Sequence, residues 1–203
     1  MNSSLSNIVT PLLNWYHTYA RTLPWRQSPS AYHIWVSEIM LQQTRVEAVK
    51  AYYNRFTVEL PTIADLAACQ EEKLLKLWEG LGYYNRVRNM QKAAIQVMTQ
   101  YHGEMPHSYE ELLKLPGIGS YTAGAVASIA YGIPVPAVDG NVLRVITRMT
   151  ENYGDITKQN TKDEITRQLQ AIIPKQHAGD FNQALMELGA TVCIPNGEPQ
   201  CFV

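Results

Sequence analysis

Cysteine is scarce in this chain. Cys69, Cys193 and Cys201 are the only three in 203 residues, too few and too scattered for a disulfide framework. A reducing compartment, cytoplasm or nucleus, suits them. Long apolar runs are missing as well. The best candidate, Ala123–Val138, is interrupted by Gly124, Gly132, Pro134 and Pro136, so no membrane-spanning segment is expected. No basic region followed by an apolar core opens the sequence, so no secretory signal is expected either. Period-two alternation is almost absent, which argues against a sheet. Fixed-period repeats and low-complexity tracts are absent, which excludes solenoids and disordered tails. Against these absences stands a 46% hydrophobic content, ordinary for a globular protein and enough for one core or two small ones.

Acidic residues are missing in places rather than overall. The net charge is −1, yet no Asp or Glu precedes Glu38 and none lies between Gly80 and Gly103, where Arg86, Arg88 and Lys92 sit. From Leu112 to Thr150 the only acid is Asp139, among Lys114, Arg144 and Arg148. The acids crowd instead into Glu59–Glu79, Glu104–Glu111 and Glu151–Glu164. If these segments fold to opposite sides, one face is basic, the electrostatic footprint of phosphate binding.

Helical spacing recurs along the chain. Asn7–Ala20 places Leu12, Leu13, Tyr16 and Tyr19 on one side. Ser30 can cap a helix running to about Phe56, with Trp35, Val36, Ile39, Met40 and Val46 buried and Glu38, Gln42 and Arg45 sharing a face. Thr62–Ala68, Glu71–Glu79 and Arg86–Tyr101 follow. Ser108 and Glu111 are spaced as a capping box. Further helices are expected over Tyr121–Ala130, Gly140–Thr150, Thr161–Ile173 and Asp180–Leu188, with an extended connector at Pro134 and Pro136.

The most informative stretch is Leu115-Pro116-Gly117-Ile118-Gly119-Ser120-Tyr121-Thr122-Ala123-Gly124. Pro116-Gly117 ends one apolar run. Gly117 and Gly119 are expected to allow positive φ. The small residues after Tyr121 permit close packing. The glycine spacing is wrong for a dinucleotide fingerprint, and no Gly-Lys-Ser/Thr follows as in a phosphate-binding loop of the Walker type. What remains is a plain turn or a helix-hairpin-helix turn, whose backbone N–H groups and helix N-terminus grip a phosphate without reading sequence.

Together with Val138-Asp139-Gly140-Asn141-Val142, this stretch resembles the helix-hairpin-helix DNA glycosylases, and within them the MutY-type adenine DNA glycosylases. Leu23-Pro24-Trp25-Arg26, Trp35 through Thr44 (Trp-Val-Ser-Glu-Ile-Met-Leu-Gln-Gln-Thr) and Trp78 through Arg86 (Trp-Glu-Gly-Leu-Gly-Tyr-Tyr-Asn-Arg) match in the same order. The resemblance runs from about Leu12 to Cys201. It implies an all-α fold. Residues 30–136 would form a helical barrel with the hairpin at about 112–130. Residues 1–29 and 137–203 would form a second helical domain, which normally carries an iron–sulfur cluster.

Periodicity alone leaves Glu38 either a solvated carboxylate beside Arg45 or, if its face lines a cleft, a desolvated general acid. The resemblance implies the acid that protonates a departing adenine. Asp139 suits a helix N-cap. The resemblance adds stabilisation of positive charge on the sugar, as in glycoside hydrolysis, with Glu38 and Asp139 facing each other across a cleft. Asn141 would help to hold water or sugar in place. Tyr121 stands where bifunctional relatives carry a Schiff-base lysine, which implies hydrolysis of the base without efficient strand cutting. Gln42 and Tyr83 would wedge into the duplex when a base is flipped. Gln43, Arg26, Arg86, Gly117, Gly119 and Ser120 complete the implied DNA contacts, with Arg88 a weaker match.

The implied activity is excision of adenine opposite 8-oxoguanine or guanine in duplex DNA, by a monomer in the nucleoid of a bacterium or in a nucleus or mitochondrion. A relative acting on thymine or an oxidised pyrimidine, and a DNA-binding fragment without turnover, remain as alternatives. The family's four-iron–four-sulfur cluster takes four cysteines, of which Cys193 and Cys201 offer two. The loop at 193–203 is therefore incomplete, and the cluster is expected in a longer parent chain. A monovalent cation at the hairpin is a further implication.

Overall fold

The computed structural model describes residues 5–27, 29–196 and 198–201. Residues 1–4, 28, 197 and 202–203, which include parts of the expected second domain and cluster loop, lie outside the described residues. Among the described residues every regular element is helical. The chain divides into two compact units, Thr22–Tyr131 and Met1–Arg21 with Gly132–Val203.

A turn of 3-10 helix at Leu5–Ile8 leads into α1 (Val9–Tyr19), which belongs to the discontinuous unit. The continuous unit holds α2 (Pro24–Gln27), α3 (Ala31–Leu41), α4 (Val46–Glu59), α5 (Ile63–Ala68), α6 (Glu71–Trp78), α7 (Asn85–Gln100), α8 (Tyr109–Leu112) and α9 (Ser120–Tyr131). Back in the discontinuous unit are α10 (Gly140–Met149), α11 (Gln159–Ile172) and α12 (Ala178–Thr191). The division falls at Arg21/Thr22, before the expected boundary at 29/30. The reason is Trp25 on α2, which is buried and stacks edge-on against Tyr53 of α4 at 5.4 Å. At the other boundary, 132–136 joins the discontinuous unit, because Asn182 on α12 grips that connector.

In the continuous unit, Trp35, Phe56, Leu66, Leu74, Trp78 and Met90 are fully buried, and Phe56 meets Trp78 edge to face at 6.0 Å. Ser30 caps α3 by accepting the His33 N–H. The single helix expected from Ser30 to Phe56 is broken at Gln42–Arg45, because Gln43 turns into the left-handed region at φ 58°. Glu38, Gln42 and Arg45 therefore do not share one helical face. The capping box expected at Ser108 is half made. Ser108 accepts the Glu111 N–H, but the Glu111 carboxylate pairs with Tyr101 and Lys114 instead. A reciprocal box exists at Thr62 and Asp65.

The discontinuous unit packs Leu12 and Tyr16 of α1 against Val145, Ile146, Ile165, Leu169, Phe181 and Leu185. Two polar groups sit inside it. Buried Asn182 donates to the Val135 carbonyl at 2.9 Å and accepts the Ala137 N–H at 3.1 Å. It thereby serves both sides of a connector with no helical partners of its own. Glu187, 1% exposed, binds the Arg21 guanidinium at 2.5 and 3.0 Å and the Arg21 N–H at 3.1 Å. Breaking a buried pair strands a charge. Arg21→Met is expected to cost about 3 kcal/mol, read from the denaturant midpoint; an unchanged midpoint would contradict this account of Glu187.

Candidate active site

Helix α3 lies against α9, whose Ala123, Ala125, Val126 and Ala127 are fully buried. This packing brings the first turn of α9 alongside Glu38, and the Tyr121 hydroxyl donates to Glu38 Oε2. Glu38 is only 6% exposed, so the solvated-carboxylate reading is excluded. A buried carboxyl held by a phenol has a fixed direction, which a proton donor requires.

Between α8 and α9 runs the hairpin turn. Leu115 and Ile118 anchor it in the core, while Gly117, Gly119 and Ser120 are exposed. Gly117 has φ +77°, and a Cβ there would lie 2.8 Å from Asn89 Cβ on α7. The glycine is thus demanded twice over. Gly119 is not left-handed, which corrects the expectation for it, and a Cβ there would meet nothing within 4 Å. Its surroundings leave the backbone open to an approaching group. The turn lies beside the N-terminus of α9, where helix geometry favours an anion.

Gln42, Gln43 and Tyr83 come together around a hollow of about 330 Å³ shared with Tyr84, Asn85 and Arg86. A smaller one of about 170 Å³ reaches from Gln42 and Asn89 to Pro116 and Gly117. Gln43 and Tyr83 both have positive φ, 58° and 46°, an uncommon state for residues with side chains. Arg86 explains how both are held. Its guanidinium donates to the carbonyls of Ile39 at 2.7 Å, Gln42 at 2.6 Å, Leu81 at 3.0 Å and Gly82 at 3.3 Å. The Gln42 and Gly82 carbonyls belong to the peptides that immediately precede Gln43 and Tyr83. The remaining Arg86 Nε is buried, and burial pulls the guanidinium pKa down. Arg86, expected at a DNA contact, thus points inward in this structure: its outer nitrogens are spent on backbone carbonyls and its Nε is covered. Arg88 is ion-paired with Glu71 at 2.8 Å on the surface. Arg26 lies half-buried in the last turn of the short helix α2.

The remaining expected residues lie in the discontinuous unit. Asp139 caps α10, accepting the Val142 N–H at 2.8 Å, and Asn141 Nδ2 donates to its other oxygen at 2.7 Å. Asn141 is itself held by Arg144 at 2.8 Å, and Arg144 also donates to the Gly189 and Cys193 carbonyls. A Cβ on Gly189 would fall 2.5 Å from Asn141 Cβ, so α12 can press on Asn141 only because residue 189 is glycine. Burial raises the Asp139 pKa, opposed by its hydrogen bonds from Val142 and Asn141 and by the Arg144 charge.

Arg144, Gly189 and Asn182 escaped sequence reasoning. Asn182 alone carries a local signal, a polar residue whose neighbours one helical turn away, Ala178, Leu185 and Met186, are apolar. Cys193 Sγ accepts from Arg148 at 3.2 Å, and Cys201 is exposed. These two thiols, with Cys69 in the other unit, do not make the four-thiolate set of a four-iron cluster. The residues present do not fit that group.

The family model for HhH-GPD superfamily base excision DNA repair proteins matches residues 36–175. The adenine DNA glycosylase of Mus musculus is 45% identical over 94% of this chain and 38% of its own length. That of Buchnera aphidicola subsp. Baizongia pistaciae is 42% identical over 95% of this chain and 54% of its own. The chain thus spans between about a third and a half of the length of these curated relatives. Among solved structures, a thermostable thymine-DNA glycosylase superposes with a TM-score of 0.87 at 29% identity, covering 98% of this chain and 92% of that one.

Arg86→Met is expected to strand the Ile39, Gln42 and Leu81 carbonyls and to lower stability by about 2–3 kcal/mol, measured by urea unfolding. Arg88→Met removes only an exposed pair and should change it by less than about 1 kcal/mol. Equal effects would overturn the distinction drawn between the two arginines.

Proposed function

From the premise that the chain belongs to the HhH-GPD superfamily of base excision DNA repair proteins, we propose that it hydrolyses the N-glycosidic bond of adenine paired with 8-oxoguanine or guanine in duplex DNA. The observation that carries this reading is the buried Glu38 held by the Tyr121 hydroxyl. Tyr121 occupies the position where the strand-cutting relatives implied by the sequence resemblance carry a lysine.

The chemistry divides among few residues. The flipped adenine accepts a proton from Glu38 and becomes a better leaving group. Positive charge then grows on the sugar, and ionised Asp139, oriented by the Val142 N–H and Asn141, stabilises it. Water completes the hydrolysis. Tyr121 has no amine to form a Schiff base, so the strand stays intact. Gln42 and Tyr83 fill the space vacated in the stack, with Gln43 a further DNA contact, and Gly117, Gly119 and Ser120 hold the backbone phosphate. The same turn offers carbonyls to a monovalent cation. The enzyme acts as a monomer wherever its DNA resides, in a nucleoid, a nucleus or a mitochondrion.

A second reading, removal of mispaired thymine, draws on the likeness to the thymine-DNA glycosylase structure at 29% identity. The adenine enzymes are nearer in sequence, at 45% for the mouse relative. Single-turnover assays on duplexes with A opposite 8-oxoguanine, A opposite guanine and T opposite guanine decide between the two. Breaks in the adenine strand only after alkali treatment are expected; breaks confined to the thymine duplex would sink the adenine reading.

Glu38→Gln should slow excision roughly 10²–10⁴-fold, and full activity in that variant would refute the proton-donor role. Asp139 must be ionised to act, so excision fails as pH falls through its raised pKa. Asn141→Ala removes a hydrogen bond that holds this pKa down. The acid limb of the single-turnover rate should therefore move to higher pH in that variant, and a limb that stays or moves down would count against Asp139 as the titrating group.

A further inference from the structure

Within the discontinuous unit, α1 and the start of α12 bring three side chains to one point. His17 lies in the last turn of α1, and its Nε2 is 3.1 Å from Asp180 Oδ2. His177 Nδ1 is 3.3 Å from the same oxygen. All three ligand atoms lie within 4.8 Å of one another. We propose that His17, His177 and Asp180 form a binding site for a divalent transition ion of the zinc type, clipping the end of α1 to the start of α12.

The ligand chemistry selects the ion. Two imidazoles and one carboxylate suit zinc, cobalt or nickel, whereas magnesium and calcium take all-oxygen sets. With metal–ligand bonds of about 2.1 Å, separations of 3.1 and 3.3 Å correspond to angles of about 95–105° at the ion, near tetrahedral. The His17 and His177 side chains are 51% and 57% exposed, which leaves room for water at the remaining position.

Simple helix capping does not account for the group. His177 precedes α12 with φ 68°, a conformation that favours Gly or Asn, and its side chain makes no capping hydrogen bond. The ring points instead at Asp180, in the first turn of the same helix. His17 meets them from 163 residues away from Asp180. An ion bound there closes a very long loop, the case in which a metal clip restrains the unfolded chain most.

The test is calorimetric titration of zinc chloride into the full chain without DNA, and into a version with Cys69, Cys193 and Cys201 changed to serine. One ion per chain is expected at micromolar affinity in both, with a melting temperature several degrees higher when zinc is present. His17→Ala and His177→Ala should each weaken binding by more than roughly tenfold and abolish the melting shift. Far-UV circular dichroism reports whether they fold. If either does not, His17→Gln and Asp180→Asn, which keep polar groups in place, should show the same loss. No zinc binding by the thiol-free chain, or binding that survives loss of the histidines, overturns the proposal.

Discussion

The structure of the continuous unit depends on how closely α9 can approach α3. The distance between packed helices is set by the side chains at their contact. Residues 122–128 of α9 offer only threonine, alanine, glycine, valine and serine to that contact, all buried. Trp35, Ile39 and Met40 of α3 can then fill the core without holding the axes apart. The hairpin turn hangs from the front of α9, and Glu38 projects from α3. Small side chains thus decide both where the turn stands and that Tyr121 meets a carboxylate on another helix.

A second layer of order comes from backbone carbonyls. Gln43 and Tyr83 occupy conformations that cost free energy. The repayment comes from Arg86, which collects carbonyls from the end of α3 and from the Leu81–Gly82 turn with one planar group. Arginine suits this better than lysine, because its donors are fixed in a fork. On the other unit Arg144 does similar work, tying Asn141 to the carbonyls near the end of α12.

Much of this was legible in the residues. The helices, the connector at Pro134 and Pro136, the turn at Gly117 and the cap at Asp139 each follow from local chemistry. The partnership of Tyr121 with Glu38 was not legible from spacing, since 83 residues separate them and only the packing of α9 on α3 joins them. The break at Gln43 was missed because Trp35 to Phe56 keeps a helical rhythm. What stops the helix there is a left-handed residue, braced by an arginine from α7. The inward direction of Arg86 was equally hidden: charge is visible in a sequence, and where the side chain points is not. Nothing in the sequence marks Gly189, whose missing side chain matters only because Asn141 lies against it.

The discontinuous unit is assembled from both ends of the described chain, with the continuous unit inserted between α1 and α10. That arrangement has a consequence during synthesis. Thr22–Tyr131 is a contiguous stretch and can close its core as soon as it leaves the ribosome. Helix α1 is made before that stretch, yet its packing partner α12 ends at Thr191. At 5–20 residues per second it waits on the order of ten seconds or more with Leu12 and Tyr16 uncovered. Helix α1 is therefore made before the continuous unit and buried only after it, so its apolar face stays available to a chaperone throughout that interval.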